Sequence, residues 1–154
     1  IRPIRPEDAP MEQDFVQHLS ADSRYRRFMS TLMELPPGKL RYLTEIDYVR
    51  HLALVAIIQR DGHEVEIGVA RYVAGPSGPD CEFAIAIDDE WQGSGVAGIL
   101  MLTLIDAARA RGMQRMEAFI LASNDKMIKF ARQLGFAVHR DPDDPGMVHA
   151  EQSL

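Results

Sequence analysis

Two features of this 154-residue chain could do chemistry: a carboxylate on a short apolar strand and a glycine-rich loop shortly after it. Residues 82–87 read Glu-Phe-Ala-Ile-Ala-Ile. Strand alternation puts Glu82, Ala84 and Ala86 on one side and Phe83, Ile85 and Ile87 on the other. The large apolar set belongs in a core. The opposite face offers one carboxylate beside two alanines, which leaves room for a substrate and suits a general base. A solvated face residue or an ion-pair partner is the alternative for Glu82. After the acidic run 88–90, Gln92-Gly93-Ser94-Gly95-Val96-Ala97-Gly98 leads at once into an apolar helical pattern. A helix N-terminus of this kind has unpaired N–H groups and roughly half a positive charge, so it binds phosphate. Glycines there let backbone come close to a ligand. They could also simply make a tight turn. Three of them opening an apolar helix cost conformational entropy that a diphosphate-bearing ligand would explain.

Other assignments of the loop fail on context. Gly93, Gly95 and Gly98 spell the dinucleotide fingerprint, but five residues separate the strand from the first glycine. The nearest candidate carboxylate, Glu117, falls inside the next strand rather than at its end, so a Rossmann unit is excluded. No Gly-Lys-Ser/Thr follows, which excludes a P-loop. Cys81, one residue from Glu82, points to the opposite face and reads as a small buried hydrophobe. That favours direct transfer over a covalent cysteine intermediate. The five histidines show no metal-ligand spacing and no metal is expected. Asn124 suits a helix cap, a ligand contact, or both. Lys126 and Lys129 read first as solvated charge, with phosphate contact as the alternative; the run Arg24, Arg26, Arg27 also reads first as solvated charge, with substrate or domain docking as the alternative.

These residues need a frame. The chain is 46% hydrophobic and 26% charged, with a net charge of −6, a globular profile that argues against a nucleic-acid surface. No apolar run approaches the ~20 residues of a membrane span. One cysteine excludes an internal disulfide and fits a reducing, cytoplasmic setting. The length suggests one domain, residues 1–154, and the absence of an initiator Met is consistent with a domain cut from a longer chain. Residues 1–4 read as an edge strand, 6–8 open a first helix, and 20–32 and 38–46 read as two more. Strands are expected at 52–59, 64–73, 82–87 and 116–121, with Asp61-Gly62 as a turn and 75–79 as a loop. Helices are expected at 96–110 and 124–134, the second closed by Gly135. A last strand pair follows at 136–140 and 147–151. The order describes a mixed α/β domain.

Gln92-Gly-Ser-Gly95-Val-Ala97 matches the Gln/Arg-x-x-Gly-x-Gly/Ala signature of the GNAT superfamily of acyl-CoA N-acyltransferases. Asn124 with Phe130-Ala-Arg-Gln-Leu-Gly135-Phe136 resembles its second cofactor-side motif. The segments 2–8, 23–28 and 46–48 look like the catalytic domain of bacterial protein lysine acetyltransferases of the Pat type. The resemblance implies a GNAT fold: a mixed, mostly antiparallel sheet with splayed central parallel strands, flanked by helices. It implies acetyl-CoA as co-substrate, its pantetheine arm along Ile85, Ala86 and Ile87 and its pyrophosphate on the amides of Gln92, Gly93, Ser94, Gly95, Val96 and Ala97. It implies Glu82 as general base and a protein lysine as acceptor, AMP-forming acyl-CoA synthetases among the substrates. It also implies a covalently linked acyl-CoA-synthetase-like domain in many such proteins. Many GNAT enzymes carry a tyrosine acid four residues before the glycine of Leu-Gly-Phe, and this chain has Ala131 there. Transfer to a small-molecule or N-terminal amine is the alternative with the same chemistry. An acyl-CoA-binding regulatory module is the alternative without turnover.

Overall fold

The computed structural model describes residues 1–29, 32–76 and 78–154. Strands β1 (Arg2–Pro3), β2 (His51–Arg60), β3 (His63–Ala74), β4 (Asp80–Ile87), β5 (Arg115–Leu121), β6 (Ala137–Arg140) and β7 (Met147–Ser153) form one sheet in the order β1-β2-β3-β4-β5-β7-β6. Every neighbouring pair is antiparallel except β4 and β5. Helices α1 (Ala9–His18), α2 (Ala21–Phe28) and α3 (Pro37–Thr44) precede β2, α4 (Val96–Ala110) links β4 to β5, and α5 (Asp125–Gln133) follows β5. A 3-10 turn at Pro6–Asp8 leads into α1, and a second one at Asp89–Trp91, unforeseen in the sequence, follows β4.

The sheet is buried on both sides around its middle, so β2 alternates between two cores. Leu52, Leu54 and Ala56 pack toward α4 and α5, while Ala53 and Val55 pack with Phe15, Val16 and Leu43 under α1 and α3. Helix α4 presents Leu100, Met101, Leu104, Ile105 and Ala108 to the first core, the face expected of helical spacing. Burying a leucine of this kind stabilises by roughly 1.5–3 kcal/mol. The helix approaches closely because β3 offers Gly68: a Cβ there would stand 2.8 Å from Ile87 Cδ1 and 3.1 Å from Leu100 Cδ1.

Helix α2 ends earlier than the pattern to Leu32 suggests. It stops at Phe28, with Met29 left-handed at φ 55°, while Ser30 and Thr31 lie outside the described residues. So does Ser77, within the loop expected at 75–79. Helix α5 ends as expected, with Gly135 at φ 96°. The final strand pair exists, but β7 lies between β5 and β6. No helix among the described residues is long and apolar enough to cross a membrane.

Candidate active site

The parallel strands β4 and β5 stay paired for only three residues, Asp80 with Arg115, Cys81 with Met116 and Glu82 with Glu117. β4 then runs on to Ile87 and β5 to Leu121, each paired only on its other side. A cleft of about 460 Å³ opens where they part, in the size range of small-molecule sites. Its walls include Glu82, Ala84, Ile85, Ala86 and Ile87 from β4, Gln92, Gly93, Gly95 and Ala97 from the glycine loop, and Asn124, Lys126 and Phe130 at α5.

The glycine loop adopts the shape expected of an anion cradle. Gly95 is the N-cap of α4 at φ 93°, a conformation that L side chains rarely adopt. The amides of Gly93, Gly95, Ala97 and Gly98 donate to no group among the described residues. With the dipole of the 15-residue α4 behind them, they fit a phosphate. Ser94 and Val96 are not among the residues that line the cleft. The tight turn folds Ser94 back, its Oγ donating to the Trp91 carbonyl at 2.5 Å and its N–H to the same oxygen at 3.3 Å. Val96 packs against the α4 core, and its N–H donates to Ser94 Oγ at 3.4 Å.

Glu82 is the only carboxylate among the described lining residues, where four cations, Arg26, Arg27, Lys39 and Lys126, also appear. It makes no hydrogen bond or ion pair among the described residues, which leaves its oxygens open to a substrate proton. Partial burial raises its carboxyl above the ordinary range, and the adjacent negative charge of Glu117 adds to this. The positive charge of Arg27 opposes the shift. Glu117 itself is well partnered, accepting from His149 Nε2 at 2.7 Å and Arg115 at 3.0 Å. Cys81 lies on the other face, as expected; burial pushes its thiol up to about 12, which leaves it unreactive.

The basic run on α2 takes part in the cleft, against the reading of solvated charge. Asp89 accepts from the Ser20 N–H and the Ser23 hydroxyl, each at 3.1 Å, and so ties the start of α2 to the loop after β4. That tie brings Arg26 and Arg27 to the cleft wall, while Arg24 turns back to the carbonyls of Gln17 and Leu19. Burial and the nearby charge of Arg71 lower Arg27 to about 10, and it lies 4.7 Å over the Phe28 ring. Lys126 lines the cleft and Lys129 does not. Asn124 caps α5, accepting the Met127 N–H at 3.3 Å, and also lines the cleft. Phe130 likewise lines the cleft and touches the core. Ala131 is fully buried, so no side chain at that position reaches the cleft as an acid.

Two further clusters were invisible in the sequence. Under α1, Glu12, Glu66 and Arg71 are each at most 3% exposed. Arg71 donates to the Leu43 carbonyl at 2.9 Å and to His51 Nε2 at 3.0 Å. Burial and the neighbouring Glu12 hold Glu66 well above the ordinary carboxyl range, whereas burial and Arg71 push His51 down to about 4. The second cluster joins His139, His149 and Glu151 across β6 and β7.

Residues 15–136 match the Acetyltransferase (GNAT) family. The acetyltransferase PA5475 of Pseudomonas aeruginosa is 40% identical over 148 residues, covering 96% of this chain and 80% of that protein. The acetyltransferase Pat of Mycolicibacterium smegmatis is 32% identical over 152 residues, 98% of this chain but only 44% of Pat. Among solved structures, the GNAT domain of S. lividans PAT superposes with a TM-score of 0.90 at 30% identity, covering 99% of this chain and 89% of that one.

Proposed function

Because the chain belongs to the Acetyltransferase (GNAT) family, we propose that it moves the acetyl group of acetyl-CoA directly onto the ε-amino group of a protein lysine, with Glu82 as general base. GNAT acetyltransferases use acetyl-CoA. The observation that carries the acid–base assignment is the solitary position of Glu82: a carboxylate without a partner among the described residues, at the point where β4 and β5 part. Lysine has a pKa near ~10.4, so an attacking amine must first lose a proton, and Glu82 is the group in the cleft that can accept it. The amine nitrogen then bonds to the thioester carbon, the C–S bond breaks, and the sulfur leaves with the electron pair. A thiol pKa near ~8.5 lets the thiolate depart without an obligate acid, which accommodates a buried alanine at position 131.

The cleft's charges support this division of labour. Unpaired loop amides and the cations Arg26, Arg27, Lys39 and Lys126 suit a phosphate-bearing co-substrate. Beyond Glu82 the same face of the sheet continues into Glu117 and Glu151, which suits a cationic acceptor such as a lysine on a protein surface. Similarity to Pat proteins supports the protein lysine over a small amine. AMP-forming acyl-CoA synthetases in a bacterial cytoplasm are the acceptors we favour, and a covalently linked further domain belongs to the same reading. Mass spectrometry after incubation with acetyl-CoA tests it: a modified lysine on such a synthetase is expected. Efficient acetylation of polyamines, aminoglycosides or amino acids with no protein modified would overturn the acceptor.

A further inference from the structure

The geometry points to a binding site for a borderline-soft divalent metal ion, Zn²⁺ the representative, formed by His139, His149 and Glu151 on the edge strands β6 and β7. It uses none of the cleft-lining residues, although Glu151 lies in register with Glu117 and Glu82 on the same face of the sheet. His139 and His149 are direct cross-strand partners, so their side chains leave the same face of the sheet. Glu151 lies two residues along β7 and faces the same way. One donor atom from each of the three lies within 4.8 Å of the others. His149 Nδ1 is 3.2 Å from His139 Nε2 and 3.8 Å from Glu151 Oε2. Donors at such separations can be spanned by one ion with bonds of about 2.0–2.2 Å after small side-chain rotations.

What raises this above a chance cluster is that its members are already oriented from behind. His149 Nε2 lies 2.7 Å from Glu117 Oε2, and a carboxylate can only accept there, so Nε2 carries the hydrogen. In the neutral ring this leaves the lone pair on Nδ1, the atom that faces His139 and Glu151. A carboxylate fixing the tautomer of a ligating histidine is the usual outer arrangement of metal sites. Glu151 is likewise held by Arg115, so both ligands have partners that set their orientation. Two carboxylates against one guanidinium leave the surroundings net negative. His139 is exposed and makes no other side-chain hydrogen bond among the described residues, which leaves an entry path and room for water to complete the coordination. Two imidazoles with one carboxylate select Zn²⁺ or Cu²⁺ over Mg²⁺ or Ca²⁺.

Calorimetric titration of the tag-free full chain, stripped with a chelator and held near pH 7.5, tests the site with ZnCl₂ and then MgCl₂. One Zn²⁺ per chain is expected, with no comparable Mg²⁺ binding. H139A should weaken Zn²⁺ at least ~10-fold, and E117A, which removes the outer partner, by roughly 10–100-fold. H63A, at an exposed histidine elsewhere, should leave it unchanged. Circular dichroism of each variant separates loss of a ligand from loss of fold, and H139A carries the test because its side chain is exposed. Absence of Zn²⁺ binding, binding that survives H139A, or equal affinity for Mg²⁺ would overturn the site.

Discussion

Replacing Glu82 with Gln tests the acid–base assignment most directly, and the size of its effect can be worked out beforehand. Glu82 has no hydrogen-bonded or ionic partner among the described residues, so glutamine of the same shape orphans no group. It also removes a like charge beside Glu117, which the fold tolerates or gains from. The variant should therefore melt no lower than the parent and bind acetyl-CoA with similar affinity. Turnover is different. Without a base, only lysine that is already neutral can attack, and at pH 7 that is about 1 part in 2,500 for a pKa of ~10.4. The expected loss is thus ~10³-fold at pH 7, within the ~10²–10⁴ usual for general-base catalysis, and only about 25-fold at pH 9. Steady-state rates from thiol release between pH 6.5 and 9, on a peptide or protein acceptor, would measure both the loss and its slope. Near-normal turnover at pH 7, or a loss that does not shrink as pH rises, would refute the assignment. Attention would then pass to a bound water, because Glu64 pairs with Arg2, Glu117 pairs with Arg115 and His149, Glu66 is buried against Glu12, and none of the three lines the cleft.

Gly95→Asp sets a carboxylate in the anion cradle, where like charges a few ångströms apart cost about 1–4 kcal/mol; acetyl-CoA affinity by calorimetry should fall about 5- to 1,000-fold, and unchanged affinity of a folded variant would remove the cradle. Arg27→Gln and Glu117→Gln should move the acid limb of kcat/KM in opposite directions. The carboxylate is the active form of Glu82, Arg27 favours it and Glu117 disfavours it, so the limb rises in pH for the first and falls for the second. Glu66→Gln addresses stability. A buried carboxyl whose pKa is raised above its unfolded value costs the fold stability as pH climbs from about 4.5 toward the folded pKa. The variant should therefore gain melting temperature over the parent increasingly from pH 5 to 8, and a gap that does not widen would show that Glu66 stays ionised.

The sequence by itself determined whatever depends on neighbours along the chain. Helix starts, the left-handed Gly135, the period-2 strand at Glu82 and the loop opening α4 are all local matters of dihedral preference and apolar spacing, and the structure has them. The family signature was readable for the same reason: a phosphate cradle is one short contiguous segment. Tertiary structure decided what strand pairing and docking bring together. No local pattern ends the β4–β5 pairing after Glu82, yet that ending opens the cleft. No spacing says that Arg26 and Arg27 face it; Asp89, more than sixty residues away, decides that by capturing Ser20 and Ser23. Ser94 and Val96 belong to the motif, and the turn's own hydrogen bonds, to the Trp91 carbonyl and the Ser94 hydroxyl, were not legible from it. The histidines at 139 and 149 show no ligand spacing, because a sheet matches residues by register across strands, and the β6–β7 register sets one directly opposite the other.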